Sequence, residues 1–146
     1  MILLPITLTI AAAAALINIW LAVRVGRVRI ASKVSIGDGG VPVLASRMRA
    51  HANFVEYTPF FLILLGLVEL AHGSATWLWL VAIVYILCRI AHAFGMDRPV
   101  PNPFRMGGFA GTVLVTLGLA GYALAMPYLT PSAAARGAPT TAVVDR

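Results

Sequence analysis

Arg49, Asn53, Glu56 and Tyr57 stand at i, i+4, i+7 and i+8. At about 3.6 residues per turn, these spacings put all four on one face of a helix. That face carries a cation, an amide, a carboxylate and a phenol. Such a set suits a zwitterionic, peptide-like ligand: Arg49 takes a carboxylate, Glu56 takes an ammonium, and Asn53 and Tyr57 fix orientation by hydrogen bonds. A plainer reading stands beside it, in which Arg49 and Glu56 neutralise each other near an interface. Pro59, three residues beyond Glu56, removes an N–H and frees the Val55 carbonyl, a change that can kink the helix and widen a cavity. Tyr85, Cys88, Arg89 and His92 follow i, i+3, i+4 and i+7 spacing and form a second polar stripe, and Arg105 comes soon after. A lone arginine there can snorkel to phosphate headgroups. Several arginines converging on one pocket would instead make an electropositive site for an anion.

The elements that must position these groups are membrane spans. Of 146 residues, 60% are hydrophobic and 11% charged, and the mean hydropathy is +0.91. Soluble domains are about 45–50% apolar and about 25% charged, so the chain reads as an all-α, integral membrane four-helix bundle. At roughly 20 residues per span, the length holds four helices with short loops and no separate soluble catalytic domain. The expected spans are 2–23, 50–70, 75–90 and 107–129, in a single unit over 1–130. The first has no Lys or Arg before Arg24 and is longer than a signal-peptide core, so it is expected to be retained. His72-Gly73-Ser74 links spans two and three as an antiparallel hairpin. Pro99, Pro101 and Pro103 are expected to keep 96–105 out of regular helix. The tail, 131–146, is rich in Ala, Pro and Thr and is expected to be poorly ordered.

Charge placement orients the bundle. Arg24, Arg27, Arg29, Lys33, Arg47 and Arg49 lie in or beside the first loop, and Arg89, Arg98 and Arg105 in or beside the third. The second loop has no Lys or Arg. The positive-inside rule then puts loops one and three in the cytoplasm and both termini on the other side. The net charge of +6 is mostly this topology signal, and no nucleic-acid-binding module accompanies it. One cysteine excludes a disulfide framework, and His51, His72, His92 and Cys88 have no metal-ligand spacing. Gly107, Gly111, Gly118 and Gly121, with the Ala11 to Ala15 run, offer the small residues that membrane helices need in order to pack. Glu69 is expected to reach the outer interface, which Trp77 and Trp79 also mark.

Arg47-Met48-Arg49-Ala50-His51-Ala52-Asn53-Phe54-Val55-Glu56-Tyr57-Thr58-Pro59 resembles the signature of the MAPEG superfamily, the membrane-associated proteins in eicosanoid and glutathione metabolism. Lys33 to Gly40 looks like the corresponding loop of bacterial members. The resemblance implies a homotrimer of four-helix subunits in a bacterial inner membrane, binding glutathione as co-substrate between neighbouring subunits near the cytoplasmic side. It implies that Arg49, Asn53, Glu56 and Tyr57 are tripeptide ligands, with Arg24 (or Arg27 in its place) and Arg89 as further basic contacts. His92 and Met96 stand where characterised members often have tyrosine. Arg105 matches the arginine thought to stabilise the thiolate. The implied activity is that of a glutathione transferase or glutathione-dependent peroxidase acting on a lipophilic electrophile or lipid hydroperoxide in membrane lipid, with no metal. The alternative is a non-enzymatic bundle that binds a lipid or protein partner.

Overall fold

Three of the four helices begin on proline, whose fixed φ and missing N–H suit the first helical position. In the computed structural model, which describes residues 3–129, the helices are α1 (Pro5–Ser32), α2 (Pro42–His72), α3 (Thr76–Gly95) and α4 (Pro103–Leu129). The expected tail lies outside the described residues. All four helices are long and apolar enough to cross a membrane. Their outward faces carry large apolar residues such as Leu16, Phe60, Leu114 and Leu124.

The helices overrun the expected spans. α1 has 28 residues, about 42 Å at 1.5 Å per residue, against a hydrocarbon core of about 30 Å. Its end therefore carries Arg24, Arg27 and Arg29 on helix rather than loop. The proline-rich stretch is also shorter than expected, because Pro103 starts α4 instead of ending a loop. Asn102 Oδ1 accepts from the N–H groups of Phe104 (2.9 Å) and Arg105 (3.3 Å), which caps the helix. Arg105 thus sits in the first turn of α4. Pro59 lies inside α2, which continues through it.

Glu69 is enclosed by protein at the outer end of the bundle. It is 1% exposed, and its carboxylate accepts from the N–H groups of Ile6 (3.0 Å) and Thr7 (2.8 Å) and from the Thr7 and Ser74 hydroxyls (2.7 and 2.8 Å). A carboxylate on α2 therefore caps the N-terminus of α1, where orphan donors and the helix dipole favour negative charge. Glu69→Ala should lower stability by about 1–2 kcal/mol, read as an earlier thermal unfolding transition in detergent. An unchanged transition would refute the cap.

α3 and α4 share the longest seam. Gly95 lies against the backbone of Phe104 and Arg105, and Gly111 against Cys88 Sγ. A methyl group at Gly108 would come within 2.6 Å of the Cys88 carbonyl oxygen and the His92 nitrogen. The close approach is thus made by Gly95, Gly108 and Gly111. At Gly107, Gly118 and Gly121, also expected to pack, an added methyl group would meet nothing within 4 Å among the described residues of a single chain. Between the helices, one apolar cluster gathers Ile6, Ile10, Phe61, Leu65, Leu78 and Tyr85, and a second gathers Ala14, Leu21, Phe54 and Ala93.

Candidate functional site

The second cluster lies towards the end where α1 and α3 finish and α2 and α4 begin. This is the basic end. A cleft of about 280 Å³ opens there, lined by Arg49 and Asn53 from α2, His92 of α3, Met96 beyond it, and Arg105, Met106 and Phe109 from α4. Its lining mixes cations and polar groups with two thioethers and a ring. A larger cavity of about 560 Å³ at the opposite end, beside His72, Trp77 and Tyr122, has no permanently charged group in its lining.

On α2, Arg49, Asn53, Glu56 and Tyr57 make different contacts. Asn53 is buried. Arg49 and Glu56 pair with each other at 3.1 Å, with side chains 61% and 48% exposed. An ion pair so open to its surroundings adds little stability, so both groups are available to exchange partners. Tyr57 packs edge-on against Phe109 with ring centroids 5.8 Å apart.

Arg89 lies behind this surface, 1% exposed. Its Nη2 donates to Asn53 Oδ1 (2.6 Å) and its Nη1 to Thr112 Oγ1 (3.2 Å). Thr112 in turn donates to the Gly108 carbonyl at 2.8 Å. One guanidinium thereby ties α3 to both α2 and α4. Arg89 Nε is buried without a partner, and among the described residues no carboxylate forms an ion pair with it. Phe54 and Tyr57 present rings 5.9 and 6.0 Å from its central carbon. A buried charge without a counter-ion costs several kcal/mol, and such groups in membrane spans mark functional sites. Because an arginine can only donate, the Asn53 oxygen is committed to it, and the Asn53 NH₂ is left as a donor.

His92 is buried in the last turn of α3, and its Nδ1 is 3.2 Å from the Arg105 carbonyl oxygen. Arg105 itself is exposed and lines the cleft. Of the expected ligands, Arg49, Asn53 and His92 line this cleft with Arg105, whereas Glu56, Tyr57, Arg89 and Arg24 do not. Arg24 is engaged elsewhere. It pairs with Asp97, donates to the Ala93 carbonyl at 3.5 Å and lies 4.7 Å from the Trp20 ring. Arg47 also reaches Asp97, at 3.4 Å.

Asp97, Thr112, Met106 and Phe109 escaped the sequence reading. Thr112 had a usable signal, since it follows Arg105 by seven residues and Gly108 by four on one face of the last helix. Asp97 was hidden in a stretch read only for its prolines.

Residues 7–125 match the MAPEG family. The chain belongs to the MAPEG family. It is also 33% identical over 87 residues to the inner membrane protein YecN of Escherichia coli K12, a match covering 59% of this chain and 65% of that protein. The YecN of Escherichia coli O6:H1 matches with the same figures. The aligned region thus spans under two thirds of the length of these relatives. MAPEG proteins are helical membrane proteins and include glutathione transferases, so the all-helical, membrane-spanning architecture agrees with the family. The segment 47–59, which carries Arg49, Asn53, Glu56 and Tyr57, falls within the matched range.

Proposed function

We propose that this MAPEG protein is a membrane-bound glutathione transferase, or a glutathione-dependent peroxidase, acting on lipophilic electrophiles. The cleft supports this reading, because it brings Arg49, Asn53, His92 and Arg105 together with Met96, Met106 and Phe109 in one lining. Glutathione has two carboxylates, one ammonium and one thiol. Arg49, Glu56, Asn53 and Tyr57 supply complementary groups on one helix face, with Arg89 behind Asn53. Met96, Met106 and Phe109 offer the neighbouring surface to an apolar co-substrate drawn from the bilayer.

Arg105 is the group assigned to the sulfur. A free thiol with a pKa near about 8.5 is mostly protonated at neutral pH, and an adjacent guanidinium raises the thiolate fraction. The thiolate then forms a C–S bond to the electrophile as the leaving group departs with its electron pair. With a lipid hydroperoxide it breaks the O–O bond, releasing the alcohol after protonation, and a second glutathione converts the resulting sulfenic acid to the disulfide and water. The working unit in this reading is a homotrimer. Its support is the exposure of Arg49 and Glu56 and the open surface at Gly107, Gly118 and Gly121, which a neighbouring copy would cover. Arg24 then contacts glutathione only by leaving Asp97, or across a subunit boundary. The membrane in this reading is a bacterial inner membrane, with the basic end in the cytoplasm and both termini opposite.

The test is direct. Purified protein in lipid nanodiscs is expected to bind glutathione and to conjugate it to chlorodinitrobenzene or reduce a lipid hydroperoxide, with saturation in glutathione. Absence of binding and of both reactions would overturn the proposal. One observation favours a non-enzymatic bundle: Arg49 and Glu56 satisfy each other at 3.1 Å. Under that reading, added glutathione would leave the pair and the thermal transition unchanged.

A further inference from the structure

We propose that His92 is the base that removes the thiol proton, receiving it on Nε2; this rests on the glutathione reading above. A carbonyl oxygen only accepts, so the 3.2 Å contact with the Arg105 carbonyl requires the hydrogen of a neutral ring to sit on Nδ1. The lone pair is then on Nε2. His92 lines the cleft, and Nε2 has no hydrogen-bond partner among the described residues. The backbone of α4 thus plays the orienting part for the imidazole, holding one tautomer with Nε2 as the acceptor.

The other polar groups of the cleft cannot take a proton. Arg49 and Arg105 are permanently protonated, and Asn53 has only its NH₂ left to offer. The charged groups facing the ring are Arg49 from α2, Arg89 from its own helix and Arg105 from α4. On the α1 side, Arg24 is engaged by Asp97. The arginines therefore favour the thiolate at equilibrium but do not themselves accept its proton. In the step assigned to His92, the S–H bond breaks, its electron pair stays on sulfur, and a new N–H bond forms at Nε2. The products are a thiolate beside Arg105 and an imidazolium still bonded to the Arg105 carbonyl.

His92→Asn keeps an N–H for the Arg105 carbonyl and removes the basic nitrogen. General-base assistance is typically worth 10²–10⁴-fold, so rapid mixing of the variant with glutathione should show thiolate absorbance rising about 10²-fold more slowly. Affinity for S-methylglutathione, which has no thiol proton, should stay within about 3-fold, roughly 0.65 kcal/mol. A second measurement needs no variant. Nitrogen-15 spectra of histidine in the wild-type protein should show one ring gaining an Nε2 proton on adding glutathione, and none on adding S-methylglutathione. Thiolate formation in His92→Asn at the wild-type rate would overturn the assignment and leave the glutathione reading standing. So would thiolate formation in wild type with every imidazole unchanged. Failure of wild type to bind either compound would overturn both.

Discussion

Arg89→Met is expected to leave the bundle at least as stable as the wild type while weakening glutathione binding about 10–100-fold. The two effects have opposite origins. The guanidinium is buried with one nitrogen unpartnered and, among the described residues, in no ion pair with a carboxylate, and replacing buried charge by an apolar side chain of similar length is often neutral or stabilising. Thr112 keeps its bond to the Gly108 carbonyl, so little is left stranded on that side. Binding falls because the Asn53 amide loses the donor that fixes its orientation, and because a positive charge behind the cleft disappears. Charge-assisted hydrogen bonds contribute about 1.5–3 kcal/mol each, which sets the size of the loss. The measurements are thermal unfolding in detergent and calorimetric titration with glutathione. A variant that unfolds earlier and binds normally would show that Arg89 is a structural tie alone.

Arg105→Ala and Glu56→Ala should separate two steps. The first should cut the thiolate fraction of bound glutathione about 10-fold or more, one pKa unit corresponding to about 1.4 kcal/mol, while the dissociation constant changes by less than about 3-fold. The second should weaken binding about 10-fold or more, because the ammonium loses its partner, with the thiolate fraction of what remains bound preserved. Ultraviolet thiolate absorbance at saturating glutathione reads one step and titration calorimetry the other. Equal effects of both substitutions on both readouts would refute the division.

Much of this was legible from residue order because helical spacing survives folding. The i, i+4, i+7 and i+8 pattern from Arg49 to Tyr57 needs only a helix to put its members on one face. The stripe through Tyr85, Arg89 and His92 is likewise carried by the turn of α3. The missed features depend on contacts between distant segments. Glu69 looked like an interfacial carboxylate because its partners, Ile6 and Thr7, are over 60 residues away. The engagement of Arg24 by Asp97 depends on how α1 meets the link after α3. The start of α4 differs from expectation for a local reason: Pro103 alone signals a helix break, but with Asn102 before it the same proline is a helix start.

The glycine seam limits how the cleft can open. Where Gly95, Gly108 and Gly111 bring α3 against α4, little side-chain volume lies between the two backbones, so few rotamer changes are available to part them. His92 and Arg105 are thereby held together across the seam. α2 meets these two helices through side chains instead: Arg89 with Asn53, Tyr85 with Thr58, and Phe109 with Tyr57.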